Sequence, residues 1–499
     1  MDYGLLSLIP AAITILVALI THRVALALFA GVLGGAFVLA GYQLSGFLQD
    51  SFEYLFRAFT DWERLKIVLF VVMIGGMLEI IAGSGAYTRF AERLGSRINT
   101  PRKSRVSTWG LSMCLFFDDY ANVLISGASM RKINMRNGVT PAMLAYIVDV
   151  VAIMASIMIV STWASFEGSV MAQAGNSVGL NKSITTFFLE SLPYHLYTFL
   201  AIILAFVVAY TGKWFGYRAD HATYSLQEKT EVRNHASKTY HLLVPIITLI
   251  GFAIVALFAS GLFLLNQQQR PITLINILGV APSVEILILS TLLALTTTFI
   301  LLRKDRVIPA VQIGRSFVKG IRDMVGVSLV IILAGGLSAV SMDLGTGQYI
   351  THAVSSFVQP GLIPLLIFIV SMLITVATGF SWSSMAIVMP IAFQMVVAGN
   401  MPEMIPVVSA AVISGAVSGE HIIPFSEKAV MSAAACKITP VYHIKTQILQ
   451  SISVFIAAGM GYLIIGLSHS LLLAFAIPLA LLLTLHFSFA RENTQAIIK

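Results

Sequence analysis

Long apolar runs separated by short polar segments fill this chain from end to end. A helix needs about 20 apolar residues to cross a bilayer. Runs of that order or longer occupy residues 3–20, 23–44, 65–83, 140–163, 184–211, 240–265, 283–302, 325–341, 403–434, 446–466 and 470–489. Two further apolar regions, 106–130 and 359–397, carry polar or glycine-rich residues near their middles. Each is expected to be a re-entrant hairpin that enters the membrane and returns to the same side. The pattern predicts an all-α polytopic membrane protein.

Internal echoes sharpen this picture. G-S-G-A-Y at 83–87 matches G-T-G-Q-Y at 345–349, an offset of 262. The centre of the first hairpin, 116–127, falls opposite G-F-S-W-S-S-M-A-I-V-M-P at 379–390, an offset of 263. W-A-S-F-E-G-S-V-M at 163–171 matches I-P-F-S-E-K-A-V-M at 423–431, an offset of 260. The echoes predict two repeats, 1–211 and 240–466, each of five spans and one hairpin. An odd span count inverts the second repeat relative to the first, an arrangement that builds secondary transporters. Residues 212–239 would be a cytoplasmic linker, and 467–499 an extra C-terminal helix and tail.

Composition agrees: 57% of the 499 residues are hydrophobic and 11% are charged, against about 25% charged in an average soluble domain. The net charge of +8 follows the loops and is no footprint for nucleic acid. Loops assigned to one side, with Arg23, hold 25 of the 31 Lys and Arg residues; the opposite side holds Arg57, Arg64, Lys66, Lys182 and Arg270. By the positive-inside rule the basic side is cytoplasmic. The expected arrangement is a plasma membrane protein, in a bacterium the inner membrane, with its N-terminus outside and C-terminus inside. The first run lacks a basic leader and a cleavage site, so it is expected to remain as a helix. Cys114 and Cys436 suggest neither a disulfide framework nor a thiolate metal site.

Two apolar runs contain anomalous charge. F-F-D-D-Y-A-N-V-L-I-S-G at 116–127 places Asp118 and Asp119 side by side, and G-E-H-I-I-P-F-S-E-K at 419–428 carries Glu420, His421, Glu427 and Lys428. Charge in hydrocarbon is costly and marks ion or proton pathways. Consecutive residues on a helix point about 100° apart, so both aspartates serve one narrow site only where the backbone breaks. Two close carboxylates disfavour double ionisation, which suits an exchange of protons for a cation. The alternative is a helix cap, or a pairing with Arg131, Lys132 or Arg136. Asn122 follows on the same face, as a ligand or a structural hydrogen bond. Gly415, Gly419 and Pro424 predict an unwound stretch at 419–425, whose freed carbonyls can bind ions. Lys428 either reaches Asp118, Asp119 or Glu420, or snorkels to the cytoplasmic face. In the first repeat Ser161, Thr162 and Ser165 offer hydroxyls, and Glu167 aligns with Glu427. In the second hairpin Thr378, Ser381, Ser383 and Ser384 surround Gly379 and Trp382. Glu79 and Asp149 also lie within predicted spans, as proton-path or structural residues.

These motifs, together with L-G-T-G-Q-Y at 344–349, T-G-F-S-W-S-S at 378–384 and the segment 415–450 containing H-I-K-T-Q, resemble the NhaC-type sodium/proton antiporter family of the ion transporter superfamily. The resemblance implies inverted repeats, re-entrant hairpins and broken helices. It implies exchange of sodium, or of a carboxylate metabolite with sodium, against protons, with a candidate sodium site at Asp118 and Asp119 and no other cofactor. By analogy with the wider superfamily it implies a homodimer. The chain departs from the family at the second broken helix. The family pattern G-D-H-C-S-P-I-S-D-T-T becomes G-E-H-I-I-P-F-S-E-K-A here, so Lys428 and Ala429 stand where two threonines are usual. Losing hydroxyls weakens a sodium site, and an ammonium there can take the cation's place.

The expected function is therefore a sodium/proton antiporter working by alternating access. The alternative is a proton-coupled transporter of an amino acid or other small organic ion, made sodium-independent by Lys428. An intramembrane enzyme is disfavoured, since no H-E-x-x-H zinc motif occurs. Buried ionisable residues in inverted repeats also suit alternating access better than a pore. The partners implied are a small ion or molecule and the lipid bilayer.

Overall fold

The computed structural model describes residues 3–492 except 22, 96–97, 117, 216–236, 270, 274–276, 279, 347–348, 350–358 and 425. Most of the expected linker and part of the second glycine motif therefore lie outside the described residues. The first half comprises α1 (Ile9–Thr21), α2 (Val24–Leu39), α3 (Leu44–Thr60), α4 (Trp62–Gly83), α5 (Ala86–Gly95), α6 (Pro101–Cys114), α7 (Asp119–Arg136), α8 (Pro141–Ala152), α9 (Thr162–Ser177), α10 (Ile184–Ser191) and α11 (Leu196–Thr211). The second comprises α12 (Tyr240–Gln268), α13 (Ser283–Lys304), α14 (Ala310–Asp323), α15 (Val325–Asp343), α16 (Ile363–Thr378), α17 (Ser381–Ala398), α18 (Ile405–Glu420), α19 (Glu427–Cys436) and α20 (Pro440–Ser468). A final helix, α21 (Leu471–Phe489), follows.

Among the described residues seven helical segments are long and apolar enough to cross a bilayer. Two more candidates are bent pairs: Pro141–Ile157 with Thr162–Ser177 at 49°, and Ile184–Tyr194 with Leu196–Thr211 at 56°. Large apolar side chains stay exposed on the outer helices, such as Ile247, Val255 and Phe263 on α12 and Leu472, Ile477 and Phe487 on α21. A water-soluble surface does not carry such a continuous apolar face; a lipid-facing one does.

Local sequence explains where the helices start. Thr100, Thr140 and Thr439 each accept a hydrogen bond from the backbone N–H three residues on, and each is followed by Pro at the first helical position. Threonine satisfies one of the free donors there, and Pro fits where no donor is needed. The first hairpin runs further than the hydropathy pattern indicated, 101–136 against 106–130, because polar residues extend α6 and α7, while the second, 363–398, keeps close to the expected 359–397. The second hairpin turns at Gly379, whose φ of +83° lies in the left-handed region open to glycine without strain. The run 140–163 is not one continuous span; its helix gives out before Ser161, and α9 begins a new direction.

Hydropathy did not anticipate α3 and α14, which are amphipathic. α3 exposes Leu44, Leu48, Phe52 and Phe56, and α14 exposes Val311 and Val318, the pattern of helices at a membrane surface. Nor did it explain the basic cluster near α4. There Arg57 pairs with Glu53, Arg64 lies 3.4 Å from Asp61, and Lys66 lies 2.5 Å from Glu285. Glu79 is likewise engaged with Lys319 at 2.5 Å, a contact between α4 and α14.

The order of elements repeats. α6 and α16 start at 101 and 363, α7 and α17 at 119 and 381, α9 and α19 at 162 and 427. Packing between halves is reciprocal: α7 packs on α19 and α17 on α9, while α4 packs on α14 and α15 on α3. Such an exchange of partners is what a two-fold relation between halves generates.

α16 and α18 pack closely near the centre. Gly415 and Gly419, one helical turn apart, face α16, and a Cβ on Gly415 would sit 2.2 Å from the Phe368 carbonyl oxygen. Small residues at this spacing let helix backbones meet in a membrane. Gly415→Val is expected to overpack the contact, at a cost of about 1–3 kcal/mol. A lowered melting temperature of the purified protein checks this, and an unchanged one counts against it.

Candidate functional site

Four helix N-termini converge where the two halves meet. Asp118 immediately precedes α7, and its Oδ2 accepts a hydrogen bond of 3.1 Å from the Thr162 hydroxyl at the start of α9. Trp163 in α9 meets Trp382 in α17 edge-to-face, with ring centres 5.8 Å apart. At the start of α17, the Ser381 backbone N–H donates to Glu420 Oε1 at 2.8 Å. The other carboxylate oxygen of Glu420 lies 3.3 Å from the Lys428 ammonium at the start of α19. Lys428 also acts electrostatically on Asp119.

Burial is nearly complete. Asp118 and Glu420 are 4% exposed, Asp119 and Lys428 2%. Lys428 does not snorkel to a surface. Each helix start carries about half a positive charge. Three carboxylates against one ammonium and four such termini come to about zero. The protein's own groups therefore nearly balance the acids of this centre.

The hydroxyls expected as ligands are largely occupied. Ser161 caps α9 by accepting from the Ala164 N–H at 2.9 Å and donates to the Ala155 carbonyl at 2.6 Å. Ser165 donates to the Ser161 carbonyl at 3.2 Å. Asn122 donates to the Ser112 carbonyl at 2.7 Å and accepts from Ser126 at 3.2 Å. These bonds tie the three residues into the helix breaks. Thr162 does reach an acid, and Asp119 Oδ1 and the Ser381 hydroxyl meet no hydrogen-bond partner among the described residues. Thr378, Ser383 and Glu427 belong to α16, α17 and α19 by backbone; their side chains lie outside the described residues. Ser384 bonds across the hairpin to the Ser371 carbonyl at 2.6 Å. Glu167 is fully buried, and neither of its carboxylate oxygens meets a hydrogen-bond partner among the described residues.

Sequence reasoning missed Ser426, which caps α19 and donates to the Glu420 carbonyl at 3.0 Å. It is the counterpart of Ser161, and its Ser position before a helix start was the available signal. Reasoning also underrated Asp149. Ser432 donates to Asp149 Oδ1 at 3.0 Å, and Gln447 to Oδ2 at 2.9 Å. His443 Nε2 lies 3.3 Å from the same Oδ2, and His421 Nε2 4.0 Å. The second ring nitrogen of His421 meets the Tyr197 hydroxyl at 2.8 Å. His443 and Gln447 are four apart in H-I-K-T-Q, hence on one helix face; nothing in the sequence pointed to Tyr197.

Broken helices closing on buried, internally balanced charge inside a lipid-facing helical bundle define a secondary transporter. Solved structures share the fold. The Neisseria gonorrhoeae MtrF, described as illuminating a class of antimetabolite efflux pumps, superposes with a TM-score of 0.59 at 14% identity, over 85% of this chain and 84% of that one. The Alcanivorax borkumensis YdaH transporter does so with a TM-score of 0.55 at 16% identity, over 88% and 90%. By sequence, residues 154–467 match the Na+/H+ antiporter family, and the chain belongs to it. A Haemophilus influenzae protein described as uncharacterized is 27% identical, covering 97% of this chain and 95% of that protein. The Bacillus subtilis malate-2H+/Na+-lactate antiporter is 22% identical over 159 residues, 32% of this chain and 33% of that protein.

Removing one partner of a buried ion pair typically costs about 3–5 kcal/mol, whereas an apolar replacement of both is close to neutral. Glu420→Gln is expected to lower the melting temperature of the purified protein, and the double variant E420Q/K428M to recover most of the loss. A double variant no more stable than the single one contradicts the pairing.

Proposed function

We propose that the protein is a proton-coupled secondary transporter of a small organic ion that bears a carboxylate, with Lys428 standing in place of a sodium ion. The Lys428–Glu420 pair carries this reading. A fixed ammonium already neutralises a carboxylate at the centre, so a sodium ion has less charge to satisfy there. The same pair offers a coupling device. A proton on Glu420 removes its charge and frees Lys428, whose ammonium then accepts the solute carboxylate. Loss of the proton restores the internal pair and expels the solute. Proton and solute binding thus support each other.

Alternating access follows from treating 1–211 and 240–466 as inverted repeats around this centre, joined by the 212–239 linker. The reciprocal packing of α7 on α19 and α17 on α9 supports that arrangement. The orientation argued from charge places the N-terminus outside and the C-terminus in the cytoplasm of a plasma membrane. One observation favours a second reading, sodium/proton exchange at the aspartates: Asp119 keeps an oxygen without a hydrogen-bond partner among the described residues.

Reconstituted vesicles loaded with a pH dye separate the two. Pulses of L-malate, L-lactate or amino acids are expected to move protons without sodium or lithium. Proton movement driven by sodium alone sinks the first reading and favours the second. Lys428→Thr is expected to raise the response to sodium about tenfold, equivalent to about 1.4 kcal/mol; an unchanged ion dependence counts against substitution by Lys428.

A further inference from the structure

A second buried charge cluster lies beside the centre, and its chemistry suits a proton better than a solute. Asp149 in α8, His443 in α20 and His421 after α18 are all fully buried. The charged and titratable groups acting on Asp149 or set beside it come from several elements: His443, His421, Lys428, Tyr197 and Cys436. Two neutral donors, Ser432 and Gln447, hydrogen-bond one to each Asp149 carboxylate oxygen. The two histidines differ. His421 is fixed through Nδ1 by the Tyr197 hydroxyl, whereas His443 Nδ1 meets no hydrogen-bond partner among the described residues. A histidine kept only for packing has its ring nitrogens satisfied. Neither ring nitrogen of His443 meets a hydrogen-bond partner among the described residues, and Nε2 lies 3.3 Å from a carboxylate oxygen, which leaves the ring open to taking up a proton.

Two links join the cluster to the ion pair. Lys428 and Ser432 are four residues apart on α19, so one helix face touches Glu420 and Asp149 in turn. The Gln447 amide donates both to Asp149 Oδ2 and to the carbonyl of His421, the residue after Glu420, at 3.0 Å. Through the Gln447 amide, a change of charge in the Asp149–His443 pair is felt at the break between α18 and α19.

We propose that Asp149 and His443 form a proton-binding site separate from the solute centre, and that the broken helix at 420–428 transmits its state to that centre. A proton from bulk water on His443 turns a pair of net charge −1 into a neutral imidazolium–carboxylate pair; its return to water restores the charge. The inference rests on reading the protein as proton-coupled, but its test needs no solute and so fails or succeeds independently of the vesicle assay.

The test uses the full-length protein in lipid, labelled with nitrogen-15 histidine. Solid-state NMR follows each ring from roughly pH 5 to 8, with His443→Gln assigning the signal. His443 is expected to pass from imidazolium to neutral within this range. Asp149→Asn is expected to lower its midpoint by at least tenfold in proton affinity, since the counter-charge is gone. Should that variant not fold, Ser432→Ala provides the opposite sign: a carboxylate with one donor fewer holds the imidazolium more tightly, and the midpoint rises. A ring that stays neutral throughout, or a midpoint unmoved by these changes, overturns the proposal. In E420Q/K428M the midpoint is expected to move at least twofold; an unmoved one breaks the proposed link.

Discussion

Hydrocarbon does not solvate charge, and the architecture around Lys428 is a response to that constraint. Each acid at the centre needs compensation from the protein itself, and an unbroken helix has no free backbone donor in its middle. Breaking a helix creates such donors where they are wanted. The breaks before α7, α9, α17 and α19 place N–H groups and positive helix ends around Asp118, Asp119 and Glu420. Serine caps at 161 and 426, and the Asn122 bonds, then satisfy the remaining ends. Helix breaks and buried acids are one feature, each making the other affordable.

Much of this was legible in the chain. Apolar runs located most spans because a bilayer imposes a length on them. The misplaced charges at 118–119 and 420–428 marked the centre, because only compensation lets charge persist there. The repeat offset pointed to the correspondence between α7 and α17, which the start positions preserve. Legibility ended where the signal lay in three dimensions. Nothing in one dimension shows that Ser161 caps α9 or that Asn122 reaches back to the Ser112 carbonyl. Asp149 looked like an isolated acid, since its partners lie 272 to 298 positions away, at His421 and Gln447. The surface helices α3 and α14 escaped because a period of 3.6 residues, half apolar, lowers average hydropathy.

The centre is chemically lopsided on a frame that repeats. Position 118–119 holds two carboxylates, and its counterpart at 381–382 holds Ser381 and Trp382. The Ser161 cap is followed by Thr162, whereas the Ser426 cap is followed by Glu427 and Lys428. One half supplies the acids of the first break and the other supplies the ammonium, so neither half alone makes a balanced site. The pairing of α7 with α19 and of α9 with α17 brings the unlike contributions together.

One small feature fixes a global property. After α11, Lys213 and Trp214 form a two-residue antiparallel bridge with Glu492 and Arg491, which follow α21. Hydrogen-bonded strands share one face of the bilayer, so the chain crosses an even number of times between them. That arithmetic binds the whole second half and the last helix at once: no single crossing between residues 214 and 491 can be added or removed alone. A reporter on the C-terminus therefore reads the sidedness of the end of α11 as well as its own.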